Sequence, residues 1–453
     1  MNHYDAVFIG FGKAAKTLAP QIAAAGRKVA IVEKSPLMYG GTCPNVGCIP
    51  SKALITSAVE AKHCGGDWAA KQKAYRNAIS DKNHLTTMLR MNVYSKISSA
   101  GVEIIDGVGS FINNNTLKVR TENGDIELTS DKFFINTGAA SFIPPIKGID
   151  NPKVYTSETL MNLPELPQTL VIIGGGYIGM EFASMYANFG SKVIILQDQA
   201  DFLPREDEDV AQAIFERLKE QGVEFHFGIK VEELADAANQ VEIKYLVDNK
   251  PAAVKADAVL VATGRRPNIK ELEPQNAGIE LTPSGAVKVN DKLRTTNPII
   301  WAMGDVTGGL QFTYISLDDS RIVRSQLPIG DKEYTVADRK NVPYSVFLDP
   351  PYSRVGLNEK EALQKGYEIK IAKMPAAVFP RAKAVYQPEG LLKVIIDAKT
   401  SQILGAMLFC AESYEVINLV KLAMDHHIPY TDLRDMIYTH PAMSEAMNDL
   451  LNI

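Results

Sequence analysis

Ala6-Val7-Phe8-Ile9-Gly10-Phe11-Gly12-Lys13-Ala14-Ala15 decides the fold. Four apolar residues in succession read as a strand buried on both faces. A glycine turn follows, and the alanine-rich run to Ala25 reads as a helix. Gly26 stops that helix, and Val29 to Val32 supplies the next strand. Strand, turn, helix and strand make a βαβ unit. Within the turn, Gly10, Gly12 and Ala15 fit G-x-G-x-x-A. Gly10 permits the sharp turn, Gly12 lets the backbone approach a pyrophosphate, and Ala15 lets helix and strand pack closely. The helix N-terminus then faces the phosphates. Glu33 stands 23 residues after Gly10, at the end of the second strand, where a carboxylate binds ribose hydroxyls.

The unit recurs roughly 160 residues later, an internal duplication. Val171-Ile172-Ile173 is the strand and Gly174-Gly175-Gly176-Tyr177-Ile178-Gly179 the turn. Met180 to Asn188 is the helix, and Lys192 to Leu196 the following strand. Gly174, Gly176 and Gly179 complete G-x-G-x-x-G, so the chain has two dinucleotide sites. The acidic residue expected after the second unit is missing, because Leu196 is followed by Gln197 and Asp198. No arginine cluster stands nearby for a 2′-phosphate. NADH is therefore favoured, and NADPH remains possible.

A length of 453 residues corresponds to about three domains. Pro50 to Ala100 reads as helical, and Phe111-Ile112-Asn113-Asn114-Asn115 as a strand entering a turn. The character changes near Pro144-Pro145 and again near Pro298, which suggests crossings between domains. From Asn341 onwards, strands (Tyr344 to Leu348, Gly390 to Ile396, Ile403 to Phe409) precede helices, the pattern of a separate α+β domain. A net charge of -5 argues against a nucleic-acid partner, which needs a concentrated basic face. No run of about 20 apolar residues predicts a membrane span. No basic segment leads into a long apolar run at the N-terminus, so no signal peptide is expected and the compartment is cytoplasmic.

The four cysteines are Cys43, Cys48, Cys64 and Cys410. The segment Gly40-Gly41-Thr42-Cys43-Pro44-Asn45-Val46-Gly47-Cys48-Ile49-Pro50-Ser51-Lys52 holds two of them five apart. They cannot bridge across a regular helix face, but they can at a distorted first turn. There the helix N-terminus lowers a thiolate's pKa, and a strained, accessible pair is easily reduced and reoxidised. The alternatives are a structural disulfide and half of a zinc site. Zinc needs further Cys or His at ligand spacing, and none lies nearby, so no metal is expected. Cys64, before Gly65-Gly66, reads as a helix-end cysteine, and Cys410 as core. His426-His427 could bind a metal, but adjacent histidines point apart. Near the C-terminus, Pro441 suits the first position of a helix. That puts His440 at the helix mouth, with Glu445 able to orient its ring for acid–base work.

G-G-T-C-x-N-x-G-C-x-P-S-K resembles the signature of the class I flavoprotein disulfide reductases, the pyridine nucleotide-disulfide oxidoreductases. That family includes dihydrolipoamide dehydrogenase, glutathione reductase and mercuric reductase. The likeness extends through Ile135-Asn136-Thr137-Gly138-Ala139, Ala262-Thr263-Gly264-Arg265-Arg266-Pro267-Asn268 and Trp301-Ala302-Met303-Gly304-Asp305 to His440-Pro441-Ala442-Met443-Ser444-Glu445. The resemblance implies an α/β fold of two Rossmann-like dinucleotide-binding domains and a C-terminal α+β dimerisation domain. FAD would take residues 1–147 and 267–338, NAD(P) 148–266, and the dimer contact 339–453. It implies FAD contacts at Gly10, Gly12, Ala15, Glu33, Lys34, Gly41, Thr42, Lys52, Gly109, Thr137, Gly138, Ala139, Asp305, Gln311, Phe312, Thr313 and Tyr314. NAD(P) contacts would be Gly174, Gly176, Tyr177, Ile178, Gly179, Glu181, Gln197, Val231 and Gly264. Asp305 would hold the ribityl chain, Lys52 would sit near flavin N5, and Tyr177 would cover the nicotinamide pocket. Cys43, Cys48, Lys52, His440 and Glu445 would be catalytic, His440 acting across a homodimer.

Departures narrow the substrate. The chain lacks the N-terminal metal-carrying domain and C-terminal cysteine pair of mercuric reductases, and Gln197 departs from the acidic residue of dihydrolipoamide dehydrogenases. Ile9 to Ala14, Gly304 to Tyr314, Ile315-Ser316-Leu317-Asp318-Asp319 and Arg339 to Phe347 resemble the reactive-chlorine-resistance branch. Its members resemble hypothiocyanous acid reductases, and copper(II) reduction is also attributed to them. The resemblance implies that Cys48 keeps the thiolate beside the flavin while Cys43 attacks a small oxidant. Copper(II) or mercury(II) reduction, a lipoamide-type disulfide substrate and a non-catalytic redox sensor are the alternatives.

Overall fold

A computed structural model describes residues 2–330 and 332–453 of the chain. In it, strand β1 (Ala6–Ile9), helix α1 (Lys13–Ala24) and strand β2 (Val29–Glu33) form the first βαβ unit. Every residue of both strands is buried, as a continuous apolar run requires of a parallel sheet covered on both faces. They lie at the centre of a five-stranded parallel sheet. Its order is Ile300–Ala302, Phe133–Ile135, β1, β2, Glu103–Asp106.

The second unit repeats this architecture. Strand β3 (Thr169–Ile173), helix α2 (Tyr177–Phe189) and strand β4 (Lys192–Leu196) belong to a second parallel sheet of five. Helix α2 begins at Tyr177 rather than at Met180, because Gly176 is already its N-cap. It is buried nearly all round, packing on its own sheet and against Leu54 and Ala58 of the helix that starts at Cys48. A helix apolar on every side is the expected result of such two-sided burial. The third part is an antiparallel sheet in the order Tyr344–Val346, Tyr352–Gly356, Ile403–Phe409, Leu391–Asp397, Ile369–Pro375. Helix α3 (Ser413–Asp425) packs on it through Val416, Ile417 and Val420.

Three local expectations change. The helical stretch after Pro50 is two helices, Cys48–Cys64 and Trp68–Ser99. Gly65 and Gly66 break it with positive φ, and Asp67 caps the second helix by accepting from the Ala70 N–H. Pro298 is not at a crossing: Leu272, Ile279 and Val287 before it share one core with Ile300 and Ala302 after it, together with Val7 and Ile9. The chain has already returned by Arg265–Pro267, which pairs with the outgoing Ala139–Ser141. Pro441 does not open a helix. The His440–Pro441 peptide is cis, and a short 3-10 turn starts only at Met443.

Candidate active site

The three parts wall one cleft of about 1720 Å³. Into it open Gly10, Gly12, Glu33, Lys34, Gly41, Thr42, Cys43, Cys48, Lys52, Gly109, Thr137, Gly138, Ala139, Asp305 and the run Gln311 to Tyr314. Tyr177, Ile178 and Glu181 line it from the second unit. Gly174, Gly176, Gly179, Gln197 and Gly264 lie outside the cleft wall, around the carboxyl edge of the second sheet. Ala15 is buried behind the wall, its N–H donating to Asn136 Oδ1 at 3.1 Å. Val231 is half-buried at the start of the strand Ile229–Ala237. Its side chain packs with the apolar layer of Ile173, Ile194 and Leu196.

The two glycine turns are built alike. In the first, the Phe11 N–H donates to Glu33 at 2.9 Å; in the second, the Gly175 N–H donates to Gln197 Oε1 at 2.6 Å. Gln197 thus takes the place of Glu33, and because its oxygen is engaged it presents its NH2 as the free end. Burial pushes the Glu33 carboxyl up, while the N–H groups of Phe11 and Ser35 work against that. Gly176 would meet nothing within 4 Å if it carried a Cβ, so its ligand side is open. Gly12 is required for another reason: a Cβ there would come to 2.3 Å from Asn136 Oδ1. Asn136 itself joins the α1 N-terminus to Met303 O at 2.7 Å. Asp305 faces the cleft, its carboxyl pushed up by burial against the pull of Arg265. A buried carboxylate at the end of the first βαβ unit, an open glycine turn in the second and a cleft of this volume fit two dinucleotides.

The cysteine segment folds as two helical pieces. Cys43 lies in the four-residue helix Thr42–Asn45, and Cys48 is the first residue of the 17-residue helix that follows Gly47. The break at Val46-Gly47 is the distortion that brings the thiols together. A Cβ on Gly47 would sit 3.0 Å from Thr42 O. Both cysteines are free, and a hydrogen bond between them favours the charged sulfur on Cys48. That bond is the main reason Cys48 is lowered. Burial opposes it, and Thr313 Oγ1, at 3.5 Å from the sulfur, and the Lys52 ammonium assist it. Cys48 is open to the cleft, so the hydrogen bonds outweigh desolvation. The same bond, with burial, pushes the Cys43 thiol up, so the proton of the pair stays on Cys43. Lys52 Nζ pairs with Glu181 at 2.7 Å and lies 4.6 Å from the centre of the Phe347 ring.

His440 Nδ1 is 2.9 Å from Glu445, so the carboxylate orients the ring as expected. Neither residue lines this chain's cleft, and His440 is exposed. Cys64 is exposed at a helix end and Cys410 is buried. Among the described residues, no group of three or more His, Cys, Asp or Glu could hold a metal ion, and no helix is long and apolar enough to cross a membrane. Sequence reasoning missed Lys16, whose Nζ donates to Gly40 O at 2.8 Å on the far side of the cysteine turn and is pushed down to about 8 by burial. The signal was a lysine set among the small and apolar residues of α1. It also gave no role to Asn136 and Tyr344, which it read only within longer motifs, and it missed Glu206, which no local pattern marks.

Residues 4–320 match the family described as pyridine nucleotide-disulphide oxidoreductase, and residues 342–451 match its dimerisation domain. Over 455 aligned residues the chain is 49% identical to the probable pyridine nucleotide-disulfide oxidoreductase RclA of Escherichia coli (strain K12), covering 100% of both. It is 34% identical to a mercuric reductase of Bacillus cereus, covering 98% of this chain and 70% of that protein. It is 33% identical to a dihydrolipoyl dehydrogenase of Mycobacterium tuberculosis, covering 99% and 97%. The fold matches the Cu(II) complex of the HOCl-induced flavoprotein disulfide reductase RclA from Escherichia coli with a TM-score of 0.94, at 49% identity and 99% coverage of both chains.

Proposed function

Because the chain belongs to the pyridine nucleotide-disulphide oxidoreductase family, we propose that it is an FAD-dependent NAD(P)H oxidoreductase whose Cys43–Cys48 pair reduces hypothiocyanous acid to thiocyanate. It is an enzyme, a flavoprotein disulfide reductase of the RclA type, and works with a flavin and a nicotinamide cofactor. The observation that supports the finer reading is the pair of free cysteines on the cleft wall, Cys48 exposed and 3.5 Å from Thr313 Oγ1. The likeness to an HOCl-induced reductase supports the oxidant class.

When bound, the flavin would relay two electrons from the nicotinamide to the cysteine pair. Glu33 and Gln197 would hold the two riboses, and Asp305 the ribityl chain. The Lys52–Glu181 pair fixes an ammonium beside Cys48. In the oxidative half, the Cys43 thiol gives up its proton as its sulfur bonds to the sulfur of hypothiocyanous acid. The hydroxide released takes that proton and leaves as water. Cys48 thiolate then attacks the Cys43 sulfur, expels thiocyanate and closes the disulfide. Two electrons leave the dithiol and two reach the oxidant. His440 of the partner subunit, oriented by its carboxylate, would move the Cys43 proton in a homodimer acting in the cytoplasm.

Reduction of copper(II) is a second reading, favoured by the Cu(II) complex of the 49%-identical RclA. It would consume two copper ions per dithiol. The test mixes NADH-reduced protein in stopped flow with hypothiocyanous acid, copper(II), mercury(II), oxidised lipoamide and glutathione disulfide. Fastest reoxidation by hypothiocyanous acid, with sustained NADH consumption, is expected. Faster reoxidation by either disulfide refutes the small-oxidant reading, and a single turnover without sustained consumption makes the protein a sensor.

A further inference from the structure

Glu206 precedes helix Glu208–Glu220 in the second unit, and its side chain has 0% exposure. Four groups from three segments converge on its carboxylate. Tyr177 Oη donates to Oε1 at 2.6 Å, and Tyr344 Oη donates to the same oxygen. Tyr352 Oη donates to Oε2, and Arg354 pairs with it at 3.2 Å. The Tyr177 and Tyr344 hydroxyls also lie 3.2 Å apart.

The rings continue what the hydroxyls begin. Tyr177 packs on Tyr344 with centroids 5.5 Å apart, Tyr344 stacks on Phe312 at 6.3 Å, and Phe312 on Tyr314 at 5.1 Å. Tyr314 Oη closes the row by donating to Pro343 O at 2.5 Å. Tyr344 is therefore held between the second unit and the segment whose Thr313 touches Cys48.

Tyr177 is the first residue of α2, at the helix end where a pyrophosphate is held. Its side chain lines the cleft. A dinucleotide anchored there must extend its nicotinamide past Tyr177 to reach Lys52, Glu181 and the cysteines. Burial and the Glu206 carboxylate keep the Tyr177 phenol protonated, as a donor to Glu206 must be.

Resting on the NAD(P)H-reductase reading, we propose that Glu206 and Tyr344 form a latch that holds Tyr177 across the nicotinamide path. Tyr344 is then a positioning residue for nicotinamide entry. Opening breaks the Tyr177 bonds but leaves Glu206 with Tyr344, Tyr352 and Arg354, so its buried carboxylate keeps its partners. A mostly closed latch lowers apparent nicotinamide affinity in proportion to the open fraction.

The test is single-turnover reduction of the FAD-loaded protein over a range of NADH concentrations. This separates the dissociation constant for NADH from the limiting rate. Tyr344→Phe keeps the stacked ring and removes both hydroxyl bonds. It is expected to lower the dissociation constant about tenfold, the weight of one hydrogen bond, with the limiting rate within about threefold of wild type. Tyr177→Phe, which leaves the Tyr344–Glu206 bond intact, should move the constant in the same direction. An unchanged or raised constant in both variants overturns the latch while leaving the reductase reading intact. Wild-type protein that neither NADH nor NADPH reduces overturns that reading, and the latch with it.

Discussion

Replacing Cys43 with alanine tests the division of labour in the dithiol. The Cys43 bond is the largest influence lowering Cys48. Hydrogen bonds to charged groups are worth about 1.5–3 kcal/mol, or roughly one to two pK units at 1.36 kcal/mol each. Thr313 and Lys52 remain in the variant and still favour the thiolate. The midpoint for Cys48 should therefore rise by roughly one to two pH units, not all the way to that of an unperturbed thiol. A thiolate exists above its pKa and is lost as the pH falls through it. At pH 7 the wild-type pair should therefore carry more thiolate on Cys48 than the alanine variant. The assay is the long-wavelength thiolate-to-flavin absorbance of FAD-loaded protein, titrated from pH 5 to pH 9. Wild type is read after two electron equivalents of NADH, and Cys43→Ala and Cys43→Ser without reductant. Serine keeps a donor and should give a lower midpoint than alanine, while Cys48→Ser should show no band. An alanine midpoint at or below that of serine refutes the claim that the Cys43 bond sets the Cys48 thiolate.

Wild type should prefer NADH modestly, since Gln197 offers a donor and no charge; a preference for NADPH above about a hundredfold, some 2.7 kcal/mol, contradicts this. Gln197→Glu keeps the acceptor for the Gly175 N–H and adds a carboxylate, so the NADPH-to-NADH ratio of kcat/KM should fall by roughly tenfold or more; an unchanged ratio places the 2′ position elsewhere. Asn136→Ala strands the Ala15 N–H and the Met303 carbonyl, at a cost of about 1–3 kcal/mol for each group left buried and unpaired. Its denaturation midpoint should drop with a matching loss of FAD retention, and an unshifted midpoint sinks the assignment. His440→Ala and Cys43→Ser protein, each impaired alone, should regain activity when mixed and reassembled, towards half of wild type per heterodimer. No recovery removes His440 from the partner's site. With a disulfide substrate the His440→Ala loss should be roughly 10²–10⁴-fold, and much smaller with hypothiocyanous acid, because there the departing hydroxide takes the Cys43 proton itself.

What the sequence made legible were features with short-range physical causes. Gly10 and Gly174 must turn with positive φ, and Glu33 falls at a fixed distance along a βαβ unit, so one stretch of chain contains the whole argument. The pairing of Gln197 with Gly175 was equally local, but its meaning came only from superposing it on Glu33 and Phe11. Asn136 shows where local reading stops. Gly12 fits a phosphate-binding pattern, yet what a Cβ there would strike is a side chain 124 residues later in the chain. Glu206 is less visible still. A glutamate between Arg205 and Asp207 reads as a solvated charge run, and only the fold brings Tyr177, Tyr344, Tyr352 and Arg354 onto it. Pro441 misled because its preference for a helix start is a statistical one, and here the turn begins at Met443.

The location of His440 follows the same logic from the other side. The cleft supplies Cys48 with a hydrogen-bond donor, a hydroxyl and an ammonium, all of which favour the charged sulfur. Nothing in that set accepts the proton that Cys43 retains. Lys16, the cation on the Cys43 side, is already bonded to Gly40 O, and as an ammonium it can only donate. In the proposed homodimer, the base for Cys43 would be His440 of the partner subunit. His440 has its Nδ1 engaged by Glu445, which leaves the other ring nitrogen free to take a proton. It lies on a domain matched to a dimerisation family, close in sequence to Ile437, which is 96% exposed. A second copy of the chain seated there would cover that apolar side chain and would bring an oriented imidazole to a dithiol that lacks one.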